Sequence, residues 1–234
     1  MKKINTILAA VSALLMLTVT SANSVEFKAG VSANGMAAYA NAKETLKGSG
    51  AKSGRTTNEE AVLATSFASV FAEVSSEELM GLGIGVSYAP DVVELNKDTR
   101  HIGNSVADTG NDAVGGAQVV DGKVTDLVSI YLKLPVGDSG AYVKAGYVQA
   151  TMTTNESLAT GSKYENIDMT GTQVGGGYEG SLGDMAFWRA EGTYQMWEDM
   201  SASGSESDGD DTTKNKITAE MGSITGTLSV GMKF

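Results

Sequence analysis

The sequence has no cysteine. That excludes disulfides, thiolate metal sites, a thiol nucleophile and the lipid-modified cysteine of a lipoprotein. Basic side chains are scarce. Setting aside Lys2 and Lys3 at the start leaves 15 basic against 28 acidic residues, a net charge of −13. Nucleic acid is excluded as a partner, because phosphate binding needs a basic face. Long apolar runs are also missing. The longest, Ile7–Val19, falls short of the roughly 20 apolar residues of a membrane-spanning helix. It follows a basic start and precedes the small residues Thr20–Ser24. This is the pattern of a secretory signal peptide over residues 1–24, cut after Ala22 or Ser24. Residues 25–234 then form one domain.

Proline is scarce, at 2 residues, and glycine abundant, at 29. Gly, Ser and Thr alternate with apolar residues, as suits strands with one small-residue face, and helical periodicity is not persuasive beyond residue 24. The clearest strand sets Met80, Leu82, Ile84, Val86 and Tyr88 against Gly81, Gly83, Gly85 and Ser87. Similar alternation marks strands from Val25 to about Tyr39, across Val128–Leu134, across Ala141–Tyr147, from Gln173 to Leu182 and across Trp188–Met196. The stretch Glu60–Val74 is a strand of unclear phase, with Leu63, Phe67 and Phe71 on one side. The last strand runs from Lys216 to the final residue, with Ile224, Gly226, Leu228, Val230, Met232 and Phe234 on its apolar face.

Connections alternate in length. Asn41–Asn58, Asp91–Lys123, Thr154–Ile167 and Asp199–Asn215 read as long polar loops, the second opened by Pro90 and with room for a strand extension around Val119. Ser75–Glu78, Pro135–Gly140 and Ser181–Asp184 read as tight turns. Eight strands with short turns at one end and long loops at the other follow the outer-membrane barrel pattern. Ten strands stay open if a further hairpin lies within Asp91–Lys123.

With each strand's phase set by its apolar residues, Glu26, Lys28, Lys133, Lys144, Glu179, Arg189, Glu191 and Lys233 all fall on the opposite, polar face. Glu220 has the apolar phase, four residues before Ile224, and is placed above the bilayer. A bilayer requires this segregation, since a Lys or Arg facing lipid at the midplane costs about 2–4 kcal/mol. Aromatic residues fall at two levels. Phe27, Tyr178, Trp188 and Phe234 lie near the short-turn rim, and Tyr88, Tyr147 and Tyr194 near the other, as girdles at two lipid–water interfaces would.

Architecture and terminus together resemble the small bacterial outer-membrane β-barrel proteins of the OmpA-transmembrane-domain, OmpX and opacity-type porin families. The resemblance implies an all-β, antiparallel, up-and-down transmembrane barrel in the outer membrane, with periplasmic ends and four surface loops. It also implies that Leu228, Val230, Met232 and Phe234 are read as an assembly signal, although Ser229 stands where the family prefers Gly and Met232 where it prefers an aromatic. Partners on this reading are outer-membrane lipid, lipopolysaccharide and the assembly machinery, and the chain acts as a monomer. No cofactor, metal or catalytic residue is implied. His101, in Thr99–Ser105, does not match the His-x-Ser-Asn order of lipid A deacylases. Glu206–Asp211 lacks the ligand spacing of a helix–loop–helix calcium site. An eight-stranded barrel is just wide enough for side chains to fill. The inward charges therefore read as a salt-bridged plug, in a non-enzymatic protein with a structural or surface-interaction role. The alternative is a small porin for ions or small solutes.

Overall fold

The computed structural model describes residues 25–45, 56–101, 117–157, 166–207 and 214–234. Residues 1–24, where the sequence reads as a signal peptide, and parts of the four long polar stretches lie outside them. Strands β1 (Val25–Thr45), β2 (Thr56–Ser76), β3 (Leu82–His101), β4 (Ala117–Pro135), β5 (Ala141–Ser157), β6 (Ile167–Leu182), β7 (Ala186–Trp197), β8 (Met200–Ser207) and β9 (Lys214–Lys233) follow in chain order. All pairings are antiparallel. The ring runs β1-β2-β3-β4-β5-β6-β7-β9, and β9 closes it on β1 from Lys28↔Lys233 to Thr45↔Lys216. The ring therefore has eight strands, not ten. The ninth, β8, adds no stave. After a break at Glu198 and Asp199 it continues beyond β7 along the same edge of β9, pairing Met200–Ser203 with Lys216–Ala219.

The strands are much longer than a bilayer requires. β1 and β9 have 21 and 20 residues. At about 3.3 Å per residue and a tilt of about 40°, they climb roughly 50 Å, twice the ~25 Å apolar band of such barrels. Much of what reads as loop in the sequence is wall. Residues 41–45, 56–58, 91–101, 117–123, 154–157, 200–207 and 214–215 are all strand. Pro90 does not end β3 either. A proline is tolerated where a ladder bond is not needed, and here β2 pairs with β3 only from Val70↔Tyr88 to Ser76↔Leu82. Above that level β2 stays on β1 and β3 stays on β4, leaving a seam in the wall. Thr65 Oγ1 donates to the Val92 carbonyl across it at 3.1 Å. A bulge accompanies Pro90, with a register shift between Asp91 and Val93 and a left-handed Asp126 (φ 55°) opposite.

Glycine is frequent for a specific reason. Four interior aromatic rings lie on the glycine directly opposite in the neighbouring strand: Phe71 on Gly30, Tyr131 on Gly85, Tyr142 on Gly177 and Phe187 on Gly231. A Cβ on Gly30 or Gly231 would stand 2.8 Å from the Phe71 ring or 2.7 Å from the Phe187 ring. The rings lie flat against the wall and leave the axis to longer side chains.

The outer face carries apolar residues. Val31, Leu132, Val143, Val174, Ile224, Leu228 and Val230 are all exposed. Phe27 packs against Phe234 with centroids 6.1 Å apart, and Tyr178 against Trp188 at 5.6 Å, both at the short-turn rim. Tyr88, Tyr147 and Tyr194 face outward at the other level, and the Tyr194 hydroxyl meets that of Tyr39 at 3.2 Å. Leu228, Val230, Met232 and Phe234 are exposed along β9.

Candidate functional site: a layered barrel interior

Three layers fill the barrel. The first, at the short-turn end, is ionic. Lys28 donates to Glu179 at 2.6 Å and contacts Glu26 at 2.8 Å. Lys133 pairs with Glu179 at 3.0 Å and with Glu73. The Arg189 guanidinium reaches Glu179 at 2.7 Å and Glu73 at 3.0 Å. Lys144 pairs with Glu191 at 2.7 Å. Two tyrosines add donors, with Tyr131 donating to Glu73 at 3.2 Å and Tyr142 to Glu191 at 2.9 Å. The interior aromatics flank the cations. The Arg189 guanidinium lies 5.0 Å from the Phe71 ring and 5.5 Å from those of Tyr142 and Phe187, and the Lys144 ammonium 3.9 Å from that of Tyr131. Cations at this range are attracted by the ring faces.

Six of the eight inward charges assigned from sequence, Lys28, Lys133, Lys144, Glu179, Arg189 and Glu191, meet here. Glu26 sits at the mouth, with its side chain 38% exposed. Lys233, at the rim, forms no ion pair among the described residues. Sequence reasoning missed the residue at the centre, Glu73, which has no exposed surface. Its Oε1 is held by the Lys133 ammonium. With Glu73 included, four carboxylates face four cations. Charge balance was the available signal, since five basic and three acidic residues left the interior short of acid.

The second layer is made of hydroxyls and amides. Ser32 and Ser229 share a hydrogen bond at 2.8 Å. Asn34 donates to Ser69 at 2.9 Å and accepts from Thr227 at 2.9 Å. Gln195 accepts from Ser223 at 2.5 Å and Thr225 at 3.1 Å, and Gln173 donates to Ser129. All of these residues except Ser223 line a cavity of about 50 Å³. At about 10–15 Å³ per water, it has room for a few water molecules.

The third layer is apolar. Ala150, Met169 and Met200 are buried against Val124, Leu127, Met152, Ile167, Trp197, Ala219 and Met221. Trp197 is fixed from below by its indole N–H, which donates to Ser223 at 3.2 Å. On β5 these residues share a face with Tyr142 and Lys144, through Gly146, Val148, Ala150 and Met152. Gln149, Thr151 and Thr153 occupy the outer face at this height. On β9, Ile217, Ala219 and Met221 point in, and Lys216, Thr218 and Glu220 point out. The alternation keeps its register, and its polarity inverts.

His101 ends β3, and its side chain lies outside the described residues, as does most of Glu206–Asp211. No group of three or more potential metal-ligating side chains occurs among the described residues.

No protein-family model and no curated protein sequence matches this chain. Solved structures similar to it include the outer membrane protein OprG from Pseudomonas aeruginosa, at 14% identity and a TM-score of 0.47 over 90% of this chain and 96% of that one. Neisserial surface protein A is similar at 12% identity and a TM-score of 0.34, over 87% and 95% of the two chains. The outer membrane protease OmpT from Escherichia coli is similar at 10% identity and a TM-score of 0.40, over 93% and 100%. TM-scores below 0.5 carry no argument, and the eight-stranded closure stands on the register of this chain's own strands. An apolar outer belt between aromatic rims around a charged interior suits a bilayer and no aqueous setting. The chain is a closed eight-stranded antiparallel β-barrel whose outer face is matched to a bilayer.

Proposed function

We propose that the protein is a non-enzymatic outer-membrane barrel, closed along its axis, whose role is structural or is carried by its extracellular end. The ionic layer supports this reading most strongly. Four cations and four carboxylates, most of them buried, cross-link strands β1, β2, β4, β5, β6 and β7 where a pore would have to pass. Removing one partner of a buried pair typically costs 3–5 kcal/mol, so an arrangement of this kind holds its shape. Beyond the outer girdle the strands carry the four long connections away from the bilayer, where they can meet other surfaces. On this reading the belt contacts outer-membrane lipid and lipopolysaccharide. The β9 stripe ending at Phe234 engages the assembly machinery, and the barrel acts as a monomer. Protease treatment of intact cells should cut within the four long connections. Cuts at Ser75–Glu78 or Gly137–Gly140 would reverse the orientation and end this reading.

A second reading, a small porin, draws on the seam between β2 and β3. The wall there lacks its ladder above Val70 and Tyr88, which offers a side route from the upper interior. Single-channel recording separates the two. A steady conductance in the wild-type protein would favour the porin.

A further inference from the structure

We infer that the barrel is closed twice, by an ionic septum and an apolar septum in series, with a water-holding chamber between them. The inference rests on the axially closed barrel proposed above and assigns the third layer a barrier role of its own. The chamber is the cavity of the second layer. On one side it is bounded by Tyr131, Lys144, Arg189 and Glu191, and on the other by Leu127 and Val148. Leu127 in turn packs into the methionine cluster around Met169 and Met200.

The two septa resist ions by different physics. The ionic septum fills the bore with paired side chains, and a passing ion must displace a buried partner. The apolar septum offers an ion no ligand. A constriction lined by apolar side chains gates by dewetting. Methionine suits such a septum because its unbranched, polarizable side chain fills irregular gaps. Two barriers in series have a consequence that a single plug lacks. Opening either one connects the chamber to one compartment and leaves the other shut.

The test uses the complete barrel in planar bilayers. The wild type, Arg189→Ala, and the pair Met169→Ser with Met200→Ser should each be close to silent. The triple variant should open at least about tenfold more often than any of them, which is ~1.4 kcal/mol of barrier. Heat-modifiable migration on gels checks that each variant is folded. A second measurement works even if openings are too brief to record. The protein has no cysteine of its own, so Ser229→Cys places a single thiol in the chamber wall. A charged thiol reagent should label it slowly in an otherwise wild-type barrel. With Arg189→Ala, labelling should accelerate from the short-turn side alone, and with the methionine pair from the opposite side alone. Steady conductance in Arg189→Ala by itself, or labelling of that variant from both sides, would remove the apolar septum. A folded triple variant that stays closed would overturn the series arrangement. Steady conductance in the wild type would instead defeat the underlying reading of an axially closed barrel.

Discussion

The two halves of this barrel are built by opposite rules on the same eight strands. Between the aromatic rims apolar side chains point out and polar ones in. On β9, Leu228 and Val230 face outward while Ser229 is buried. Above the outer rim the same strand sends Lys216, Thr218 and Glu220 out and Ile217, Ala219 and Met221 in. The lower half obeys the bilayer, where an outward charge is expensive and an inward one can be paired. The upper half obeys water, as a soluble barrel does, and buries an apolar core. Each half shows why the other works. The lower half cannot draw on the hydrophobic effect for its interior and uses ion pairs and rings lying on glycine. The upper half has no lipid around it and fills its bore with methionine.

The largest effect that separates the halves should come from Glu73→Ala. It strips a carboxylate from the centre of the ionic layer and leaves Lys133 and Arg189 to Glu179. Loss of one partner in a buried pair costs about 3–5 kcal/mol. Glu179 already contacts both cations, at 3.0 and 2.7 Å, which places the expected loss at the lower end. Urea unfolding in lipid vesicles measures it.

Next comes a matched pair of lysine substitutions on the outer face. Leu228→Lys should destabilise by about 2–4 kcal/mol, the cost of a lipid-facing cation near the midplane. Thr151→Lys, on the outer face of β5 above the rim, should stay within about 0.5 kcal/mol of wild type, as an ordinary surface change does. Equal costs at the two sites would erase the difference between the halves.

The smallest effect concerns pH and belongs to the upper half alone. Lys123, on β4 above the rim, contacts Asp91 at 2.7 Å and Glu94 at 3.5 Å. The hydrogen bond with Asp91 is the largest influence, and it holds the ammonium above the ordinary lysine value of 10.5. A raised folded value means that the pair's contribution is complete below the ordinary value and is lost as pH rises through the raised one. Lys123→Gln should therefore abolish a small alkaline decline in stability above about pH 10 and leave neutral pH unchanged. An unaltered alkaline limb would assign the decline to other groups.

The lower half was legible in the sequence because one rule, apolar outward, holds from rim to rim. It places Lys28, Lys133, Lys144, Glu179, Arg189 and Glu191 on the inner face from sequence alone. The rule failed on β2, where Phe71 points inward onto Gly30 and the outward positions are filled largely by Ala and Ser. A phase weighted by apolar size therefore has no clear solution there, and Glu73 was lost with it. The upper half was less legible because its outward residues are polar and its inward apolar residues are scattered among small ones, so stretches such as 91–101 and 200–207 resemble loops. Pro90 strengthened that impression. It stands where β3 has left β2, so the break it signals concerns one edge of the strand and not the strand itself.

The central claim is the inversion of polarity along a continuous wall, and a cysteine scan of β5 tests it most directly. Single cysteines would replace each residue from Val143 to Thr153 in this cysteine-free chain, and a charged thiol reagent would be applied to the barrel in lipid vesicles. The account predicts that outward positions Val143, Ala145 and Tyr147 resist labelling and that outward positions Gln149, Thr151 and Thr153 react, with Val148, Ala150 and Met152 protected between them. Uniform protection of the outward face through Thr153, or reaction at Ala150 and Met152 in place of Gln149 and Thr151, would contradict it.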